Sequence, residues 1–209
     1  MQRILRLAMG ASVALAVPAM AQDVNITPEL ANRTFILKGE PVVIERIQDP
    51  THTLAPDYTK TSRACPPACI QPLTAAPGVA TIAELEVMDF LEQRVATGGG
   101  LLVDTRAPDG FNTATLPGAV NVPLATLEPT NPYRDEILKA LGARQTSAGW
   151  DFSNALELAL FCDGPWCSET PRAIRNLTDA GYPAAKLKYY RGGMQLWQLF
   201  GLSLRDGVS

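Results

Sequence analysis

Histidine is almost absent from this chain, and its scarcity excludes several kinds of metal centre. The 209-residue sequence contains one histidine, His52, in a segment rich in proline and threonine. One histidine cannot supply the mixed cysteine and histidine spacing of a zinc finger, and the sequence holds no C-x-x-C-H for covalent haem attachment. A zinc site made of cysteines alone stays open, although C-x₃-C followed by C-x₄-C is looser than the usual pattern. We therefore expect no metal and no cofactor.

Basic runs are missing as well, and long apolar runs are missing after the first residues. The chain has 18 Lys and Arg against 21 Asp and Glu, a net charge of −3. Without a basic stretch it lacks the positive surface that binds nucleic acid or an anionic membrane. No later segment approaches the roughly 20 apolar residues that span a bilayer. We expect neither nucleic acid nor a membrane as a partner of the mature protein.

The first 21 residues follow the pattern of a secretory signal peptide. Arg3 and Arg6 give a basic start, an apolar run covers 5–17, and Ala-Met-Ala stands at 19–21. We expect cleavage before Gln22, export across the inner membrane and a soluble periplasmic protein. An uncleaved N-terminal anchor is the alternative.

Four cysteines follow that segment: Cys65, Cys69, Cys162 and Cys167. An even number of cysteines in an oxidising compartment usually forms disulfides, and four allow three connectivities. Cys65 and Cys69 fall in residues 48–78, which are rich in Pro, Thr and Ala and show no helical period. Because so long a loop is uncommon in a compact domain, we expect a disulfide or docking onto the following domain to hold it. A structural Cys65–Cys69 disulfide is favoured over a second redox pair.

The remaining pattern predicts an α/β fold. A hairpin is expected from 34–37 and 41–47, and a capping box at 81–84 is expected to start a helix. Beyond it, strands alternate with helices, which is typical of a parallel sheet. The expected strands are 101–104, 119–122, 156–161 and 186–190, and the later helices 133–141, 170–180 and 193–200. We divide the chain into a signal peptide (1–21), an N-terminal extension (22–80) and one α/β domain (81–209).

Cys162 stands where such a fold concentrates its chemistry. Ligands of parallel sheets bind beyond the carboxyl ends of the strands, and Cys162 ends one strand and opens the loop to a helix. Backbone N–H groups of a tight turn and a helix N-terminus lower the pKa of a thiol. We therefore predict a Cys162 thiolate that needs no histidine base, and a Cys167 that enters the helix and is less exposed.

Several motifs in this order resemble a rhodanese domain. Leu-Leu-Val-Asp-Thr-Arg at 101–106 and Leu-Pro-Gly-Ala-Val-Asn-Val-Pro at 116–123 resemble its first half. The loop from Cys162 to Ser168 resembles its active-site segment, and Tyr-Arg-Gly-Gly at 190–193 its closing motif. The resemblance implies a sheet of five mostly parallel strands between helices. It also implies a Cys162 thiolate that accepts a sulfane sulfur as a persulfide and passes it to a nucleophile.

The candidate site surrounds that loop. Cys162 and Cys167 are the candidate catalytic residues, and the substrate-binding loop is assigned Asp163, Gly164, Pro165, Trp166, Ser168 and Arg191. Support is assigned to Asp104, Arg106, Gly192 and Gly193, the glycines because larger residues resist their expected conformations.

Cys167 is a departure from the family pattern, because loops of this length usually close with an arginine there. Asp163 adds a negative charge beside the nucleophile, which disfavours thiosulfate more than a persulfide donor. Arg191 and Arg172 are the candidates for compensation.

Three functions stay open on the sequence. The first is a sulfurtransferase whose partner is a small sulfur-containing donor or a thiol or persulfide protein. The second is a thiol–disulfide oxidoreductase that uses Cys162 and Cys167. The third is a non-catalytic binding module whose cysteines are structural disulfides.

Overall fold

The computed structural model describes residues 23–207, so the predicted signal peptide lies outside the described residues. Nine β-strands run through this part: β1 (Asn32–Leu37), β2 (Glu40–Glu45), β3 (Ala80–Ile82), β4 (Gly100–Asp104), β5 (Ala119–Asn121), β6 (Arg144–Thr146), β7 (Gly149–Asp151), β8 (Glu157–Phe161) and β9 (Leu187–Tyr190). It also has six α-helices: α1 (Glu84–Phe90), α2 (Pro108–Thr113), α3 (Leu124–Leu127), α4 (Arg134–Ala140), α5 (Glu169–Asp179) and α6 (Gly193–Leu199). No helix within 23–207 is long and apolar enough to cross a membrane.

A five-stranded parallel sheet forms the centre of the fold. Its strand order is β3-β9-β8-β4-β5, and every neighbouring pair runs parallel. The prediction of an α/β fold with a parallel sheet flanked by helices is therefore confirmed. Because β8 is the middle strand, Cys162 directly after it lies at the centre of the sheet's carboxyl edge.

Alternate residues of the strands face two separate cores, as the two-residue period of a strand requires. In β8, Leu158 and Leu160 pack with α3, α4 and α5 on one face of the sheet. Ala159 and Phe161 pack with α1 and α6 on the other. Trp197 of α6 is fully buried in this second core. Burial on both faces explains why the strands read as continuous apolar runs.

The predicted N-terminal hairpin is also confirmed. β1 and β2 pair antiparallel, and buried Phe35 and Ile44 join the core beside α1 and α6. Arg33 ties the hairpin to α1 and the π-helical turn that follows it, with ion pairs to Asp89 (2.9 Å) and Glu92 (2.6 Å). The hairpin thus covers one face of the parallel sheet.

The expected helix start at 81–84 is wrong by two residues, since α1 begins at Glu84 with Ala83 as its N-cap. Thr81 and Ile82 belong to β3, where they pair with Tyr189 and Tyr190 of β9. The capping interaction lies two residues further on, where the Ala83 amide donates to the Glu86 side chain at 3.1 Å. Sheet pairing therefore takes the residues that resemble a capping box, and β3 supplies the fifth strand.

Candidate active site

The loop that begins at Cys162 is held on the N-terminal end of α6. The Met194 amide donates to the Cys162 carbonyl oxygen at 3.0 Å, and the Gln195 amide to that of Asp163 at 2.8 Å. Gly193 makes this approach feasible: its φ is +57°, and a Cβ there would collide with the Cys162 carbonyl oxygen. The closing glycine motif therefore positions the cysteine loop by direct backbone contact.

At Gly192 a glycine is required for steric reasons and not for its backbone conformation. Its φ of −60° is one that any residue adopts. A Cβ there would lie 2.8 Å from the ring of Tyr190 and 3.0 Å from a Glu84 carboxylate oxygen. The expected unusual backbone conformation is thus found at Gly193 and not at Gly192.

Cys162 and Cys167 form a disulfide, with Cα atoms 6.4 Å apart. The Cys167 amide closes the turn between them by donating to the Gly164 carbonyl at 2.9 Å. Cys162 is 2% and Cys167 6% exposed, so the prediction that Cys167 is less exposed is wrong. Cys167 lies just before α5, whose N-cap is Ser168. It is buried where it bonds to Cys162. The predicted Cys162 thiolate requires that this disulfide is first reduced.

A buried ion pair supports the loop from β4. The Arg106 guanidinium contacts the fully buried Asp104 carboxylate at 2.6 Å, and the Thr115 hydroxyl donates to the same oxygen at 2.9 Å. Burial alone would lower the pKa of Arg106, but the hydrogen bonds and charge of Asp104 raise it above its ordinary value. Arg106 is therefore a permanent cation beneath the cysteine loop.

Asp163 faces this cation instead of standing alone beside the nucleophile. Its carboxylate lies 3.6 Å from the Arg106 guanidinium and accepts a 2.7 Å hydrogen bond from the Tyr58 hydroxyl. Burial, and next the charge of Asp163, raises the pKa of Tyr58, so its phenol remains a neutral donor. Arg106 is shared between Asp104 and Asp163, so it reduces the repulsion expected between Asp163 and an anionic donor only in part.

The two arginines expected to compensate Asp163 have other partners. The Arg172 guanidinium contacts the Glu128 carboxylate at 2.6 Å. Arg191 donates to the Gln71 carbonyl oxygen at 2.8 Å. Arg191 thus contacts the N-terminal extension at Gln71.

Residues 56–71, here called the strap, lie across the cysteine loop. The Tyr58 carbonyl oxygen accepts a 3.0 Å hydrogen bond from the Gln195 side chain, and Gln195 also accepts from the Trp166 indole at 2.9 Å. The guanidinium of Arg63 stacks 3.8 Å from the centre of the Trp166 ring. The long loop of the extension is therefore tied down by docking.

A second anchor lies at the other end of the strap. The Gln71 amide donates to the Pro165 carbonyl oxygen at 2.9 Å. Between these anchors, Cys65 and Cys69 form a disulfide with Cα atoms 4.6 Å apart. The disulfide and the docking contacts that the sequence predicts for this loop are therefore both present.

Strap and loop together line a cleft of about 550 Å³. Trp166 forms part of its wall, as the sequence predicts, and the other polar lining residues include Tyr58, Arg63, Arg106 and Asp163. The cleft holds groups of both charges next to the cysteine loop. It offers room for a small ligand or for a peptide side chain.

Two further polar residues at the loop were missed by the sequence reasoning. The Thr170 hydroxyl shares a 2.8 Å hydrogen bond with the Thr105 hydroxyl, which links α5 to the end of β4. Glu169 has a buried carboxylate oxygen with no hydrogen-bond partner among residues 23–207. Burial, followed by the charges of Asp163 and Asp104, raises the pKa of Glu169. Thr105 lies inside the recognised first motif, but nothing local marks Thr170 or Glu169.

Comparison with known proteins gives the family. The family model described as "Rhodanese-like domain" matches residues 87–199, more than half of the chain. The protein therefore belongs to the rhodanese-like family, as its motifs indicate.

The proteins similar to this chain include one curated relative and two solved structures. An HTH-type transcriptional regulator of Mycobacterium tuberculosis is 29% identical over 120 residues, which are 57% of this chain and 43% of the regulator, so the chain spans less than half of that protein. A thiosulfate sulfurtransferase from Pseudomonas aeruginosa aligns with 63% of this chain and 21% of its own, at 22% identity and a TM-score of 0.42. A rhodanese from E. coli, solved with anions, aligns with 46% and 88% of the respective chains, at 18% identity and a TM-score of 0.31.

Proposed function

We propose that this protein is a periplasmic sulfurtransferase that carries sulfane sulfur as a persulfide on reduced Cys162. The observation that carries the proposal is the position of Cys162 directly after the middle strand of the sheet, at the edge where parallel-sheet proteins bind their ligands. Family membership supports the same reaction class. The donor is a small sulfane-sulfur compound or a persulfide on a partner protein.

The chemistry starts from the reduced pair. The Cys162 thiolate attacks the outer sulfur of the donor, forms an S–S bond and expels the remainder of the donor with the electron pair. With thiosulfate the leaving group is sulfite. Arg106 is shared between Asp104 and Asp163, so it lowers the repulsion that an anion meets at the loop only in part.

Cys167 gives the persulfide a second fate. The Cα atoms of Cys162 and Cys167 are 6.4 Å apart, within the range of a disulfide. Attack of the Cys167 thiolate on the Cys162 sulfur breaks the persulfide bond and releases hydrosulfide. The sulfane sulfur gains two electrons, and the cysteine pair loses two as its disulfide forms. Transfer to an external thiol competes with this internal step.

Mass spectrometry of the intact protein tests the assignment. The reduced protein is exposed to thiosulfate or to an inorganic polysulfide, and the mass is compared before and after. Cys167→Ser should accumulate one extra sulfur atom, because the resolving thiol is missing. Cys162→Ser should gain none. Loading that persists in Cys162→Ser and vanishes in Cys167→Ser would assign the nucleophile to Cys167 instead.

A thiol–disulfide oxidoreductase is the second candidate, favoured by the disulfide that Cys162 and Cys167 form. It requires reversible exchange with a protein dithiol and no persulfide in any variant. Counting thiols after mild reduction separates both functions from an inert binding module. A module with structural disulfides would keep the buried Cys162–Cys167 bond closed.

The periplasmic location rests on the first 21 residues and has its own test. Expression with the native N-terminus should yield a protein that begins at Gln22 in the periplasmic fraction. A chain that starts at Met1 and stays with the membrane would show an uncleaved anchor instead.

A further inference from the structure

The strap carries a disulfide that is far more open than the loop disulfide. Cys65 is exposed and Cys69 half-buried, whereas Cys162 is 2% and Cys167 6% exposed. The residues around the strap disulfide are exposed as well, up to 86% for Ile70. Since exchange requires access to a sulfur atom, a dithiol reaches the strap bond before the loop bond.

The strap disulfide is not what holds the strap in place. It joins residues only four positions apart, and the stabilisation from a disulfide falls as the ring it closes becomes smaller. The strap is fixed instead by Tyr58 on Asp163, and by the anchors on either side of the disulfide. A purely structural role therefore explains little of its presence.

Those anchors set the strap disulfide against the residues that precede Cys167. Arg63, two residues before Cys65, stacks on Trp166, the neighbour of Cys167. Gln71, two residues after Cys69, binds Pro165. The exposed and the buried disulfide are thus carried on two segments that pack directly on each other.

We propose that Cys65 and Cys69 are a second redox site, which takes electrons from a dithiol reductant and passes them to the Cys162–Cys167 disulfide. This rests on the proposed function, in which the loop disulfide forms during turnover and has to be reopened. The partner is defined by chemistry as a dithiol able to reach Cys65.

The relay consists of two exchanges. The external dithiol is oxidised to its disulfide and leaves two thiols on the strap. One strap thiolate attacks the Cys167 sulfur and forms a mixed disulfide with it. The Cys162 thiolate is expelled. The second strap thiol attacks that bond, closes Cys65–Cys69 again and expels Cys167 as a thiol. In total, two electrons and two protons pass from the external dithiol to Cys162 and Cys167.

Reduction kinetics test the relay. The oxidised parent and the Cys65→Ser/Cys69→Ser double variant are treated with limiting dithiothreitol, and thiols are trapped by alkylation and assigned by peptide mass. The double variant should open its loop disulfide at least tenfold more slowly, while Ile70→Ser, on the same strap with both cysteines, should match the parent. An equal rate overturns the relay, and a faster rate in the double variant makes the strap a simple cover.

A trapping experiment does not depend on these rates. Cys65→Ser/Cys162→Ser leaves Cys69 and Cys167, and Cys69→Ser/Cys162→Ser leaves Cys65 and Cys167. At least one of the two should form an intramolecular disulfide on mild oxidation. If neither does, the relay is excluded. Neither readout involves a sulfane donor, so sulfur loading on reduced Cys167→Ser reports the proposed function separately.

Discussion

The two disulfides of this protein have similar spacing and very different surroundings. Cys65 and Cys69 are separated by four positions and Cys162 and Cys167 by five. The first pair lies on an irregular, exposed strap, and the second follows a buried strand and is closed off from solvent. We therefore expect the two pairs to differ in reactivity despite their similar spacing, since exchange depends on access and on thiolate stability.

The burial of the loop pair depends on backbone contacts as much as on side chains. Carbonyl oxygens of the loop accept hydrogen bonds from α6, and the strap covers its outer side. The strap pair is more open, and the contacts with the loop are made by its neighbours Arg63 and Gln71. Four predictions separate these environments, from the largest effect to the smallest.

The largest effect is expected from Gly193→Ala. The new Cβ would collide with the Cys162 carbonyl in a backbone region that L-residues resist, so the free energy of unfolding should fall by more than about 2 kcal/mol. Gly201→Ala is the matched control, because Gly201 has φ +65° and open space around its Cβ position. It should cost about 1 kcal/mol. Urea denaturation measures both, and equal losses would mean that Gly193 does not position the loop.

The next effect concerns the order in which the two disulfides open. With a limiting small reductant, the exposed Cys65–Cys69 bond should be reduced first, by about tenfold in rate, which corresponds to about 1.4 kcal/mol in barrier. Alkylation at early times followed by peptide mapping gives the order. Earlier opening of Cys162–Cys167 would show that burial does not protect it.

The loop was easier to predict from the sequence than the strap. Cys162 ends a continuous apolar strand and lies in a motif of consecutive residues, so local pattern is sufficient to locate it. Tyr58 contacts Asp163 across 105 positions, and no local pattern marks that contact. The strap has no period, because its conformation is set by docking.

The lack of a local sequence pattern also explains the errors in the predicted fold. β3 has three residues, too few for a strand period to be visible, and it exists because β9 pairs with it. The hairpin of β6 and β7 is short and mostly exposed, so it lacks an apolar signal. The central strands and α5 were predicted to within a residue or two, because they carry the core.

A smaller effect is expected from Tyr58→Phe, which removes the side-chain hydrogen bond from the strap to Asp163. Bonds to charged groups contribute about 1.5–3 kcal/mol when buried, and the Asp163 side chain is 32% exposed, so a loss of about 1 kcal/mol is expected. Tyr133→Phe, at a 70% exposed tyrosine, is the control and should be neutral. Denaturation gives the free energies, and limited trypsin cleavage after Lys60 reports opening of the strap. Equal behaviour of the two variants would show that this hydrogen bond does not hold the strap on the loop.

The smallest effect is a pH dependence at Glu169. Burial first, and then the carboxylates of Asp163 and Asp104, raises its pKa above the ordinary value of 4.5 in the folded protein. Stability from the protonated form is therefore complete below the ordinary pKa and is lost as the pH rises through the folded-state pKa. Glu169→Gln keeps a neutral side chain at every pH, so its stability relative to the parent should increase between about pH 4 and about pH 7. Because Glu169 is partly exposed, solvent screening should keep this gain small.

Urea denaturation at the two pH values measures this gain, with Glu136→Gln on the exposed side of α4 as the control. The control should show the same difference from the parent at either pH, because Glu136 lies away from the carboxylates of the loop. If Glu169→Gln behaves like the control, the negative charges around Cys162 do not act on one another. The two disulfides would then differ in solvent access and not in electrostatics.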